Sequence, residues 1–151
     1  MRHERFESGT DTGTLRLSER RVVEMLRFWQ ADRQGEALDR LCRRLGSVRA
    51  GFCIRAFSEV MDLVRRHAWH APLILPVGAT SHSDDELAIA RLILTATEQH
   101  RDSALAEAAM LVSPMALVPL VAAAERTGLP LLCEECRGRL CGAAISGIRA
   151  S

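Results

Sequence analysis

Apolar residues in this chain recur every three to four positions over most of its length, the period of a helix buried on one side. Val22, Met25, Leu26 and Trp29 share one face of a first helix, with Ser18 placed to cap its start. Gly35 predicts a break. Leu38, Leu41, Cys42 and Leu45 then repeat the helical spacing, and Gly46 stands where a helix would stop. A longer helix is predicted from about Val48 to Trp69. Its apolar stripe is Phe52, Ala56, Phe57, Val60, Met61, Val64 and Ala68, and its polar face pairs Arg55 with Glu59 and Asp62 with Arg66.

Pro72 closes that helix. The apolar run from Leu73 to Val77 predicts a short extended connector and not a central strand, because Pro76 has no amide to give a ladder. Ser83-Asp84-Asp85-Glu86 carries the clearest local signal: Ser83 can accept the amide of Glu86, Glu86 can return the bond, and both aspartates meet the positive end of the helix dipole. The helix it opens, to about Gln99, is apolar on most sides (Leu87, Ile89, Ala90, Leu92, Ile93, Leu94), which predicts a central position. Asp102 or Ser103 is expected to cap a further helix through Val112. Ser113-Pro114 restarts the chain into the apolar stretch from Met115 to Ala124, predicted to end at Gly128-Leu129-Pro130, with Pro119 either kinking it or beginning it.

Strand signals are nearly absent. The expected fold is therefore all-α: a single compact bundle of about six helices with a short extended connector around residues 73–77. Residues 1–14 are read as a disordered polar arm, 15–130 as the bundle and 131–151 as a weakly ordered, cysteine-containing tail. Phe57, Met61, Val64, Leu87, Leu94 and Leu120 are expected to meet in the core.

At 151 residues the chain is one domain by length, large enough for a core without cross-links. A formal net charge of +1 supplies no global pull towards nucleic acid or anionic membrane. All 20 cationic residues are arginine, and lysine, asparagine and tyrosine are absent. Schiff-base and phenolic acid chemistry are excluded accordingly. The first residues lack the apolar centre of a secretory signal, and no uninterrupted apolar run reaches the roughly 18 residues of a spanning helix. A cytoplasmic protein without membrane contact, its cysteines reduced, is the expectation.

The layout from Leu38 to Ala124 resembles that of a group of small all-helical alpha-proteobacterial proteins of unknown function. Two amphipathic helices (Leu38 to Ala68), an apolar turn ending in proline (Leu73 to Pro76), a capped helix start (Ser83 to Glu86) and an Ala/Leu-rich helix pair (Leu87 to Ala124) carry the likeness. In that group the turn before the capped helix often holds cysteines. Here it reads Val77-Gly78-Ala79-Thr80, so the resemblance implies a fold and no metal or redox role.

Three of the five cysteines, Cys133, Cys136 and Cys141, lie within nine residues. Two-residue spacing lets a pair of thiolates face one zinc ion, and Glu134, Glu135 or His100 could complete the four ligands a structural site needs. The alternative is a tail with unligated thiols. Cys42 and Cys53 lie on or beside apolar stripes and are read as core residues. His67 and His70, with His82 beyond them, could share a metal; a helix C-terminus that favours partial positive charge explains the first two equally well.

Between residues 40 and 66, Arg40, Arg43, Arg44, Arg49, Arg55, Arg65 and Arg66 stand against only Glu59 and Asp62, a local charge of +5. Such a region can meet phosphate backbones or an acidic partner, or can simply be a solvated face. No aromatic residues are interleaved for base stacking. No nucleophile elbow or phosphate-binding glycine loop is present. The leading expectation is thus a helical protein that acts by binding another macromolecule as an adaptor, regulator or accessory subunit, with a protein partner or a second copy of itself. The alternatives are a metal- or redox-responsive protein using the cysteine cluster, and a nucleic-acid-binding regulator using the arginines.

Overall fold

The computed structural model describes residues 15–150, with side chains described as far as Cys136; the arm expected at 1–14 lies outside the described residues. Among the described residues six α-helices follow one another: α1 (Leu17–Gln30), α2 (Gln34–Leu45), α3 (Ser47–His67), α4 (Asp84–Thr97), α5 (Arg101–Leu111) and α6 (Leu117–Ala150), the last preceded by a 3-10 turn at Pro114–Ala116. No strand occurs among the described residues, and the only sheet-like feature there is a single antiparallel bridge between Ala68 and Val112. The all-α bundle read from the pattern is what the chain adopts. Residues 73–76 form the extended connector, without regular structure of their own.

Helix α6 lies against α3, α4, α5 and α1, and α4 lies against α6, α1 and α5. These two form the middle of the bundle, as the all-round apolar character of α4 required. Ile89, Ala90, Leu92 and Ile93 from α4 join Leu120, Ala123, Ala124 and Leu131 from α6 in one core, with Phe57, Val60 and Val64 from α3 and Val22 and Leu26 from α1. Of the six expected core residues, Phe57, Val64, Leu94 and Leu120 are buried, while Met61 and Leu87 are only partly covered.

The helix ends explain where the pattern misled. Helix α1 begins two residues earlier than expected: Arg16 is its cap residue, and its amide donates to Glu19 Oε1 at 3.1 Å. Ser18 lies inside the helix, buried, with its hydroxyl turned to Glu135. The break expected at Gly35 falls at Asp32, which takes a left-handed φ of 58° and lets the Arg33 amide donate back to Phe28 O at 2.8 Å. Gln99 (φ 63°) closes α4 the same way, with His100 N donating to Thr95 O. Both are Schellman-type ends built on residues other than glycine, so the glycine signal for a helix stop was missing.

Gly46 does what was expected of it and more. At φ 83°, ψ 161° it occupies a region open essentially to glycine alone, and it serves at once as the end of α2 and the start of α3. Helix α5 is capped by neither Asp102 nor Ser103; it starts at Arg101, with His100 at the cap position. Ala56, Phe57, Val60 and Val64 of the expected α3 stripe are buried, but at its start Phe52 is partly exposed and its neighbour Cys53 is buried instead.

The largest correction concerns α6. The helix does not stop at Gly128-Leu129-Pro130 but passes through all three residues and continues to Ala150. Pro119 sits in its first turn, where amides have no helical acceptor, so it opens the helix without cost. Pro130 removes one internal hydrogen bond, but it and Leu131 are buried against the bundle, which holds the helix together across it. The region expected as a loose tail therefore begins as packed helix, with Leu131 and Glu135 both buried. By length and composition, Pro114–Cys136 could cross a membrane: its most apolar window has a mean hydropathy of 1.4, and half of that window is buried within the protein. A search for uninterrupted apolar runs passes over it because Glu125 and Arg126 divide it.

Gly128 permits the close crossing of α4 and α6. A Cβ at this position would lie 1.9 Å from Thr97 Oγ1 and 3.0 Å from Ile93 Cγ2. Thr97 cannot yield freely, since its hydroxyl donates to Ile93 O at 2.7 Å. Gly128→Ala should destabilise the protein by about 1–3 kcal/mol in chemical denaturation, overpacking outweighing the roughly 0.5–1 kcal/mol that alanine gains in a helix interior. Thr97→Ala in the same chain should recover part of the loss. Equal stability of Gly128→Ala and wild type would show that the two helices can part at no cost.

Candidate functional site

The most elaborate polar arrangement is a buried clamp between α1 and α4. Arg27 Nε donates to Glu86 Oε2 at 2.7 Å, and Arg27 Nη2 donates to Glu86 Oε1 at 3.2 Å. The remaining guanidinium donors reach Ala79 O at 2.8 Å and Ser81 O at 2.6 Å. The capping box expected at Ser83 is present within the same network: Ser83 Oγ accepts Glu86 N at 3.0 Å, and Ser83 N donates to Glu86 Oε1 at 2.8 Å. Ser83 Oγ also donates to Leu73 O at 2.5 Å, while Leu73 N donates to Asp85 Oδ2 at 2.7 Å. The cap therefore opens α4, anchors the connector and holds a buried ion pair, of which only the first could be read from four adjacent residues.

A second network fastens the other end of α1. Arg16 bonds Glu135 and Glu98, each at 2.7 Å, and Ser18 gives Glu135 Oε2 both its amide (3.2 Å) and its hydroxyl (2.6 Å). Burial works against the ionised carboxylate of Glu135, but the Arg16 and Ser18 hydrogen bonds overcome it and hold its pKa down at about 2. Arg21 adds Glu134 at 3.2 Å. Both acidic neighbours of Cys133 are thus ion-paired, although Glu134 Oε2 is buried without a hydrogen-bond partner among the described residues.

Cys133 and Cys136 are exposed, one turn apart on α6. Cys141 follows on the same helix, its side chain outside the described residues; at 1.5 Å per residue its backbone lies about 12 Å along the axis from Cys133. Among the described residues no group of three or more His, Cys, Asp or Glu side chains is placed to hold a metal ion. His70 is exposed and faces Asp85 at 3.7 Å, while His67 ends α3. Cys53 is a core thiol, as expected. Burial, and after it the nearby Glu134, pushes its pKa up to about 12, and its sulfur points at Thr127 O at 3.4 Å. It is not a nucleophile at neutral pH.

The arginines of residues 40–66 do not form one surface. Arg40 and Arg44 share Glu24, at 3.4 and 3.6 Å, and Arg65 and Arg66 share Asp62, at 3.0 and 3.4 Å. Arg55 bonds Gly51 O in its own helix, and the partner expected for it, Glu59, pairs with Arg126 of α6. Arg43 and Arg49 are exposed and make no ion pair among the described residues. Along α3 the four arginines from Arg49 to Arg66 spread over about 25 Å and several faces.

Two features escaped the sequence reading. One is an apolar corner. Trp69 N donates to Leu111 O, Trp69 Nε1 donates to Ala109 O, and Ser113 N donates to His67 O, which brings the end of α3 against the α5–α6 junction. Trp69 (60% exposed), Met110 (77%), Met115 (78%) and Val118 (58%) stand out there. The other is a 420 Å³ cleft between α1 and α3, with Trp29, Met61, Val64 and Ala68 as its apolar wall and Gln30 and Gln34 at its polar side. Comparison with known proteins adds no identity. No protein-family model, curated protein or solved structure gives a significant match to this chain.

Two outcomes are expected of the networks. Arg27→Met should destabilise by about 3–5 kcal/mol, because it leaves the Glu86 charge buried without its partner, and combining it with Glu86→Leu should cost less than the sum of the two single changes. Additive losses in chemical denaturation would show that the pair is not coupled. Because its folded pKa is depressed, Glu135 contributes stability above its ordinary value of 4.5 that is lost as pH falls towards about 2. Glu135→Gln should therefore be less stable than wild type at neutral pH, with the gap closing across that window in acid denaturation. A gap independent of pH would assign its effect to packing.

Proposed function

We propose that this protein acts by binding another protein, as an adaptor, regulator or accessory subunit, through the apolar corner at the end of α3 and the α5–α6 junction. The observation that carries the reading is that Trp69, Met110, Met115 and Val118, all more than half exposed, belong to the two segments that hydrogen bonds join at the end of α3 and the α5–α6 junction. Single exposed apolar residues are ordinary, but large ones gathered at one place mark interaction sites. Methionine suits such a surface because its unbranched, polarisable side chain adapts to the partner's shape, and tryptophan supplies buried area with a polar edge. The surroundings favour a protein over nucleic acid: the two arginines in α3's last turn, Arg65 and Arg66, share the carboxylate of Asp62.

A photo-crosslinking residue at Met115 or Met110 tests this in cells of the native host, with Arg91, exposed on α4, as the control position. Adducts with one defined protein are expected from the corner and not from Arg91, and a Met110→Glu change in the Met115 crosslinker chain should abolish them while leaving the helical circular dichroism intact. Equal adducts from all positions, or none from the corner, would overturn the reading. Adducts only with a second copy of this chain would replace the adaptor role with self-association.

A further inference from the structure

We propose that the cavity between α1, α2 and the 77–82 loop binds a small organic anion, a phosphate or carboxylate carrying an apolar or aromatic group. The cavity encloses about 360 Å³, within the usual range for small-molecule sites. Its charged lining is unbalanced. Arg20, Arg27 and Arg40 face it together with a single carboxylate, Glu24. Arg27 is neutralised by Glu86 and has spent its donors on Glu86, Ala79 and Ser81, so it forms the wall and not the recognition group. Glu24 is divided between Arg40 and Arg44 at 3.4 and 3.6 Å, too far for a strong hydrogen bond to either. Arg20 is exposed and makes no ion pair among the described residues. Two guanidinium groups are thus left with donors to offer at one opening.

Arg40 is held in place for that role. Its guanidinium carbon lies 4.9 Å from the centroid of the Phe28 ring, which orients the planar group without using its hydrogen-bond donors. The floor beneath is apolar: Val23 and Phe28 are buried, and Val77 adds a partly exposed edge. His82 completes the rim. Burial and, after it, the charge of Arg27 lower its pKa, so at neutral pH it presents an uncharged imidazole that can donate or accept one hydrogen bond. An inorganic anion alone would leave the apolar floor unused, whereas an apolar molecule alone would leave two guanidinium groups unmet. A molecule with both parts uses the whole lining.

Calorimetric titration of the full chain with phenyl phosphate, and separately with inorganic phosphate, at neutral pH and physiological ionic strength tests the assignment. Saturable binding of phenyl phosphate is expected, with inorganic phosphate weaker. An Arg20→Gln/Arg40→Gln double variant should lose about tenfold or more in affinity, since charge-assisted hydrogen bonds are removed, and Arg65→Gln, a distant exposed arginine, should bind as wild type. Helical circular dichroism and thermal midpoint verify that the double variant is folded, and both substituted side chains are exposed enough to leave the core intact. No saturable binding, equal affinity for the two probes, or equal loss in Arg65→Gln would overturn the proposal.

Discussion

The buried ion pair between Arg27 and Glu86 constrains this fold more tightly than any other interaction. Taking two charges out of water costs several kcal/mol for each, and attraction between them repays that only when every remaining donor and acceptor is also met. Here they are met. Glu86 receives Arg27 twice and the Ser83 amide once, and Arg27 spends its other donors on two carbonyls of the loop before α4. Such a network tolerates almost no alternative geometry, because any shift of α1 against α4 would strand a charge in the core. It therefore sets the register of the two helices, and through Ser83 and Asp85 it fixes the connector at Leu73 as well.

The network around Glu135 does the corresponding work at the far end of α1. With Arg27 fastened to the start of α4 and Arg16 to Glu98 just past its end, α1 and α4 run antiparallel, and Glu135 ties α6 to the same corner. Between these fixed ends the core can be filled largely by small and branched residues. Alanines and the single contact at Gly128 let α4 and α6 approach closely, which is how a chain with only 4% aromatic residues still closes a core.

That arrangement also decides what remains on the surface. Most acidic side chains near the arginines are taken up in pairs, so the local excess of positive charge between residues 40 and 66 is dispersed and partly neutralised. What is left concentrated is an apolar corner and one cavity with spare guanidinium donors. Both lie at junctions between helices, where the chain changes direction and side chains cannot all turn inward.

Much of the fold was legible in the sequence because its causes are local. The helical period of the apolar residues, the Ser83–Glu86 box, the turn at Gly46 and the connector after Pro72 each depend on residues a few positions apart, and each is found where the pattern put it. The misplaced ends have equally physical reasons: Asp32 and Gln99 adopt a conformation usually left to glycine, and burial carries α6 through Gly128 and Pro130, which in isolation would stop a helix. The candidate sites were not legible. Glu86 reads only as half of a capping box until Arg27, 59 residues away, is brought against it; Glu135 reads only as a neighbour of the cysteines, and its bond to Arg16, 119 residues away, is visible in the fold alone. The sequence by itself determined which segments are helical and which face of each is apolar. Only the tertiary structure decided which charges are buried together and which apolar side chains are left outside, because those depend on how the helices pack and not on any period along one of them.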